Sequence, residues 1–401
     1  MKICIINNLY PPYSRGGAEH LVFRTVKGML ELGHEVIVIT TSPDGFGLFE
    51  EGKLKIYRYK PKNLFFYTKA HKYNWFMRLL WHIVDTFHIS SSNFVKKILK
   101  EEKPDVVHTH NLMGMSFLIP RAIRRLSLRH LHTVHDVQLV EPSGIILKSM
   151  EKSFRYTGFP TKIYTWVIKK LMGSPDVVIS PSQFLLDFYT NRGFFKNSKR
   201  VMLRNPVSVE ESDRATRHSY NHLRFLYLGQ IEEHKGVIFL VDTFLEICRD
   251  NDFEAELHIA GDGSQFKRLK DISDGYDNII FHGKVDRIEL PKLFEQTSMT
   301  IVPSLCYENS PTVIFESLSF GVPVLASRVE GIAELIKEGE NGITFETGNK
   351  ESLKEKLAWS LNNKEELEEM GEKTKKSLVG LSHEDYIEKL YNLYVDATEE
   401  L

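Results

Sequence analysis

Residues 223–248 read LRFLYLGQIEEHKGVIFLVDTFLEIC: a short apolar run, a polar loop and a longer apolar stretch. The first run, 223–228, has the length and the Leu/Phe/Tyr content of a buried strand. The stretch 237–248 reads as a helix, and Gly236 keeps the backbone open just before it. Between them, Lys235 sits in a strand-to-helix loop, where its ammonium can meet a diphosphate as a point charge. A strand feeding a helix through such a loop is the repeating unit of doubly wound α/β folds.

The same unit recurs in both directions. Downstream, 255–260, 278–281, 299–302 and 324–326 read as strands, with helices near 265–273, 288–295 and 312–320. Upstream, 2–7, 35–40, 105–110, 129–135 and 176–180 are short Val/Ile/Leu-rich strands, and 19–32 is a helix stopped by Gly33. Continuous apolar runs separated by helices indicate parallel strands covered on both faces. Asn205-Pro206 divides the two series, because proline fixes φ and restricts its predecessor. The expectation is two doubly wound domains, 1–205 and 206–383, with a helix over 384–401 packing back on the first.

A length of 401 residues, 42% apolar and 26% charged, suits a two-domain globular protein. Cys4, Cys248 and Cys306 form no C-x-x-C pair, which excludes a disulfide framework and a zinc site and fits a cytoplasmic protein. The start, MKICII, reads as a first strand rather than a signal peptide, and no run is long and apolar enough for a spanning helix. The net charge of −1 conceals an asymmetry. Residues 1–205 hold 31 Lys+Arg against 15 Asp+Glu, and the remainder 21 against 38. A basic half attracts anionic surfaces or phosphorylated acceptors; two oppositely charged domains can equally attract each other.

Residues 60–100 carry Phe65, Phe66, Tyr67, Tyr73, Trp75, Phe76, Trp81, Phe87 and Phe94 among Lys and His, and residues 145–172 form a second such stretch. Basic, aromatic-rich amphipathic segments suit a membrane interface, and helices packed into the first domain would account for them equally. Nothing resembles a nucleic-acid recognition motif, and no nucleic-acid partner is expected.

Three constellations carry the chemistry. PPYSRGGAE, 11–19, sets Gly16 and Gly17 between the first strand and first helix, where backbone N–H groups can meet an anion. It lacks the spacing of a dinucleotide fingerprint or a P-loop. The second is the Lys235 loop. The third is YENSPTVIFESLS, 307–319, in which Glu308 and Glu316 are eight apart around a helix start at Pro311 or Thr312. Two carboxylates beside a phosphate make sense only if they bind hydroxyls, one on a sugar and one on a ribose.

This ordered set resembles family 4 of the glycosyltransferases, retaining enzymes of the GT-B fold, in which two Rossmann-like doubly wound domains face each other across a cleft. HIAGDG at 258–263, FHGKV at 281–285, and Gly321-Val322-Pro323-Val324 followed by Glu330-Gly331 complete the match over nearly the whole chain. The resemblance implies a transferase using a UDP- or GDP-linked sugar, with no essential metal or other cofactor, acting on a glycan or lipid-linked acceptor in cell-surface polysaccharide or glycolipid synthesis.

It also implies roles. Gly16 and Gly17 would approach the donor phosphates, and Lys235 would neutralise the diphosphate. Glu308 would contact the sugar. Asn309, Ser310, Pro311 and Thr312 would offer backbone groups, and Glu316 would hold the ribose. Gly283 and Val285 would receive the base. His135, in HTVHD, would hydrogen-bond the transferred sugar, and His110 occupies a comparable strand end. His108 and His110 are read as pointing to opposite faces, so no metal is expected there. Gln230 stands where the family usually has arginine, and Arg15 is the nearest compensating cation in sequence. Asp136 is the best carboxylate for a covalent route, and its weak context favours front-face substitution assisted by the leaving phosphate. A nucleotide-sugar epimerase or a non-catalytic sugar-nucleotide module are the rival readings, and the absent fingerprint disfavours a nicotinamide dehydrogenase.

Overall fold

The structure, a computed structural model, describes residues 1–14, 16–207, 222–250 and 254–399. The chain forms two compact units. The first comprises Met1–Gly144, Phe154–Asn205 and Glu384–Leu401, and the second Ile145–Ser153 with Pro206–His383. Sequence reading placed 145–153 with the first series; the structure sets those nine residues in the second unit.

The first unit is built on eight strands: β1 (Lys2–Ile6), β2 (Glu35–Thr41), β3 (Gly47–Glu51), β4 (Leu54–Tyr59), β5 (Val106–Thr109), β6 (Arg129–Thr133), β7 (Val177–Ser180) and β8 (Lys199–Met202). Their order across the sheet is β3-β4-β2-β1-β5-β6-β7-β8, parallel except for the β3–β4 hairpin. Successive connections leave β1 toward β2 and later return beside it at β5, so the strand order reverses between β1 and β5. In open α/β sheets ligands bind beyond the carboxyl ends of the strands at such a switch point.

One face of this sheet buries Ile3, Ile5, Val36, Val38, Val106 and Leu131 beneath the helix Gly17–Glu31 and the C-terminal helix His383–Glu399. The latter contributes Tyr386, Ile387, Leu390, Leu393 and Tyr394 to the cluster. Tyr394 also makes a 2.7 Å hydrogen bond with His108 Nδ1 on β5.

Part of the aromatic segment 60–100 is core. Phe65, Tyr67 and Trp81 pack with Leu9, and Trp81 Nε1 donates to the Phe65 carbonyl at 2.7 Å. The rest is turned outward. In the helix Trp75–Thr86 and just after it, Trp75, Phe76, Leu79, Ile83 and Phe87 are exposed, while Trp81 and Asp85 face in.

The second unit carries six parallel strands: β9 (Leu223–Leu228), β10 (Ala255–Ala260), β11 (Ile279–Gly283), β12 (Met299–Val302), β13 (Val324–Ser327) and β14 (Gly342–Phe345). The order β11-β10-β9-β12-β13-β14 reverses between β9 and β12. Phe225, Leu257, Ile301, Leu325 and Ile343 interleave with Val237, Leu240, Val241 and Phe244 of the helix Val237–Asp250.

The C-terminal helix is core to the first unit by this packing. Leu390 is fully buried, so Leu390→Ala should destabilise that unit by about 2–5 kcal/mol, the usual cost of a large-to-small core change. Urea unfolding followed by a probe in the first unit measures it. A loss below about 1 kcal/mol would show that the helix is not part of that core.

Candidate active site

In the second unit, the loops leaving β9 and β12 lie side by side at the switch point. Leu305 N donates to the His234 carbonyl at 3.0 Å and ties one loop to the other. Gly236 fixes how closely they approach. Its φ is +75°, and a Cβ there would stand 1.9 Å from the Pro303 carbonyl oxygen. No side chain fits that position, and the backbone conformation is one that L-residues rarely adopt.

Lys235 is thereby delivered to Glu308, with Nζ 2.5 Å from Oε1. Ser304 Oγ donates to the same oxygen at 3.1 Å. The two side chains retain 29% and 13% exposure. Burial pulls the Lys235 ammonium down, but the Glu308 charge and hydrogen bond outweigh it, and the net shift is upward. Lys235 is therefore held as a cation, partly open to whatever enters the loop.

The loop 308–312 leads into the helix Thr312–Ser319, whose N-cap is Pro311. No side chain caps that end, so its first N–H groups and its positive dipole end remain available to an anion. Ser310 Oγ is buried and has no hydrogen-bond partner among the described residues, a state that ordinarily calls for a ligand or water. Glu316 lies on the second turn of this helix, buried to 7% exposure. Gly331 packs so tightly beneath the loop that a Cβ would sit 2.2 Å from the Glu308 carbonyl oxygen.

Gln230 is exposed on the β9 loop, and its carbonyl accepts from Tyr227 OH at 2.5 Å. Gly283 closes β11 with φ +66° and its carbonyl accepts from Gly261 N at 2.7 Å. Val285 packs beside Leu290 and Phe294. Arg15, the proposed compensating cation, lies outside the described residues.

Sequence reasoning missed a second ion cluster. Lys148, in the 145–153 segment, pairs with Glu330 and, at 2.9 Å, with Glu151; Glu151 also accepts from Tyr307 OH at 2.7 Å. Backbone bonds from Lys148 N to Leu305 O and from Tyr307 N to Ile146 O, both 2.9 Å, stitch this segment to the Glu308 loop. Two carboxylates already neutralise Lys148, so it does not replace the charge missing at Gln230. No local signal marks the cluster as a whole, because the Lys148–Glu330 contact spans 182 residues and the Glu151–Tyr307 contact 156.

In the first unit, Gly17 opens the helix Gly17–Glu31 with Gly16 as N-cap. Gly16 N donates to Glu19 Oε2 at 2.9 Å. Gly16 is extended, and a Cβ there would meet only Glu19 Oε2 at 3.7 Å, an ordinary contact. Nothing inside the unit demands glycine at this position.

His110 and His135 stand just beyond the carboxyl ends of β5 and β6. His110 Nδ1 and His135 Nε2 are 2.9 Å apart, with the rings stacked at 5.2 Å. His110 Nε2 is buried without a partner among the described residues. The placement of His108 and His110 on opposite faces is corrected: their rings are 4.1 Å apart, because residues two apart on an extended chain share a face. His108 is committed to Tyr394 on one side and to Thr133 Oγ1, at 2.8 Å, on the other.

Burial holds His135 down to about 4, and burial with neighbouring histidines holds His110 well below the usual range. Burial pushes Asp136 up to about 6, against the Gln138 N–H that it accepts at 2.8 Å. The pair at pH 7 is thus two neutral imidazoles, one donating and one accepting.

The sign of the pH dependence follows. The unfolded chain takes up a proton on each histidine near pH ~6.5, whereas the folded His135 resists protonation until about 4. This stability contribution is full above ~6.5 and is lost as pH falls toward 4. Histidine NMR should show the His135 ring neutral down to pH ~5. A midpoint near the free value of ~6.5 would contradict the buried pair.

Two family descriptions match the chain: Glycosyltransferase Family 4 over residues 15–211, and Glycosyl transferases group 1 over residues 208–377. An uncharacterised 42.6 kDa protein in the cps region of Klebsiella pneumoniae is 26% identical over 340 residues, 84% of this chain and 87% of that protein. Sucrose-phosphate synthase of Thermosynechococcus elongatus superposes with a TM-score of 0.77 at 18% identity, covering 100% of both chains. An Anabaena protein solved in complex with UDP-glucose superposes with a TM-score of 0.68 at 14% identity, covering 99% of this chain and 100% of that one. The two matches together run almost end to end, and both sheets have the order and switch points of the GT-B fold. The chain belongs to the family 4 glycosyltransferases.

Proposed function

We propose that this glycosyltransferase transfers a sugar from a UDP- or GDP-linked donor with retention of anomeric configuration, to a glycan or lipid-linked acceptor. The observation that carries the reading is the Lys235–Glu308 pair at the β9/β12 switch point, beside the open N-terminus of the Glu316 helix. A diphosphate needs a cation and N–H donors; a sugar and a ribose need acceptors for their hydroxyls. Lys235 with residues 309–312 supplies the first set, and Glu308 and Glu316 the second. The residues 283–285 are left to the base. The UDP-glucose complex of the Anabaena protein supports a uridine donor.

In the same reading the first unit contributes Gly16, Gly17 and His135. The acceptor oxygen attacks the anomeric carbon on the face the diphosphate leaves. The C–O bond to phosphate breaks as the new one forms, and the departing phosphate oxygen takes the acceptor's proton. The protein's part is positioning and charge stabilisation. Asp136, buried and accepting the Gln138 N–H, is already engaged in its own loop, which favours this route over a covalent one. The outward apolar faces of the helices Trp75–Thr86 and Phe159–Met172, set in the basic half, support peripheral attachment to an anionic membrane. Among the described residues no helix is long and apolar enough to cross one. A cytoplasmic enzyme of cell-surface polysaccharide or glycolipid synthesis is consistent with the cps-region relative.

Lys235→Ala should lower turnover by about 10²–10³-fold, the usual effect of removing a group that stabilises developing charge. Glu316→Ala should act mainly on donor affinity, with circular dichroism unchanged for both. Near-normal turnover in Lys235→Ala, or unchanged donor affinity in Glu316→Ala, would overturn the site. Product NMR should show the donor's anomeric configuration, and inversion would overturn the stereochemical assignment. Conversion of donor in the absence of any acceptor would favour an epimerase.

A further inference from the structure

The helix Phe159–Met172 of the first unit presents an apolar stripe outward. Phe159, Ile163 and Trp166 are 71%, 46% and 57% exposed. With Lys170 they follow the spacing i, i+4, i+7, i+11, which places all four on one stripe. Ile168, half a turn away, is fully buried. Apolar side chains thus line the water-facing side as well as the buried one, an arrangement that marks an interaction surface.

That stripe runs into a recess of about 400 Å³ lined by Arg121, Arg124, Arg125, Lys170 and Leu171. Three of the cations come from the helix Ile119–Arg125. Arg124 forms one wall and is fixed there: its guanidinium donates to the Met172 carbonyl and, at 2.8 Å, to the Leu171 carbonyl. Arg121, Arg125 and Lys170 are exposed and pair with no carboxylate among the described residues. Burial, and then the Arg121 charge, pull the Arg124 guanidinium down, so the cluster repels itself as it stands. Four cations around one recess, without a counter-charge, are complementary to a phosphate.

Free anions need no apolar neighbour, whereas a lipid headgroup comes with one. The exposed stripe ends at the recess, and the helix Trp75–Thr86 of the same unit also turns apolar side chains, Phe76, Leu79, Leu80 and Ile83, outward. We propose that the Arg121/Arg124/Arg125/Lys170 recess binds the phosphate headgroup of an anionic lipid whose chains lie against the Phe159–Ile163–Trp166 stripe. It rests on the peripheral-membrane part of the proposed function and not on the transfer chemistry, so its test uses neither donor nor acceptor.

The test is co-sedimentation of the full chain with phosphatidylcholine vesicles, with and without phosphatidylglycerol. The variant Arg121→Gln/Arg125→Gln/Lys170→Gln is compared with Lys27→Gln/Lys97→Gln/Lys100→Gln, which removes three other cations of the same unit. All six side chains are exposed, so both variants should fold. At roughly fivefold per cation near an anionic surface, the recess variant should lose at least about twentyfold in affinity for the anionic vesicles. The second variant should lose less than about fivefold. Equal losses would reduce the recess to diffuse charge and overturn the site. Binding of inorganic phosphate that is lost in the recess variant, with both variants binding the anionic vesicles equally, would assign the recess to a free anion instead. Equal wild-type binding to both vesicles would overturn the headgroup site and leave the apolar attachment standing. No wild-type binding to either would overturn the attachment itself.

Discussion

An ammonium and a carboxylate 73 residues apart meet at 2.5 Å because two loops are pinned together at the point where a parallel sheet reverses its order. The rest of the donor side depends on that meeting. A salt bridge this shielded is not a strong source of stability, since both partners give up water to form it. Its value is placement: it holds a charged lysine against the loop that leads into the helix Thr312–Ser319. Gly236 is the steric condition for it, through its positive φ and its contact with the Pro303 carbonyl.

The first unit is organised differently. Its strand ends present neutral, buried imidazoles rather than charges. His135 is held by His110, and the His110 ring packs against His108, which is bonded to Tyr394 of the C-terminal helix. The last helix of the chain therefore supports the histidine that the family resemblance assigns to the sugar. A neutral imidazole can donate or accept a hydrogen bond without adding a charge.

Much of this was legible in the sequence, for physical reasons that also mark the limits. Strands buried on both faces are nearly continuous apolar runs, so β1, β2, β5 and β12 stand out. The edge strand β3 is almost wholly exposed and lacks that signature, and β14 is only four residues, GITF. Amphipathic spacing in 75–86 and 159–172 reveals two faces but not which one meets the core. Only the packing shows that Trp81 and Ile168 point in while Trp75 and Trp166 point out. The excursion of 145–153 into the second unit rests on long-range backbone bonds to residues 305–307, for which Leu147-Lys148-Ser149 offers no local pattern. The motif residues Lys235 and Glu308 were readable as a set, whereas their ion pair was not.

The central claim is that Lys235 is the cation of a diphosphate site. Calorimetric titration with UDP and UMP, on the wild type and on Lys235→Met, tests it most directly. The wild type should bind UDP at least about tenfold more tightly than UMP, a difference of about 1.4 kcal/mol from the second phosphate, and Lys235→Met should abolish that preference. Equal affinity of the wild type for both nucleotides, or a preference that survives in Lys235→Met, would contradict the account.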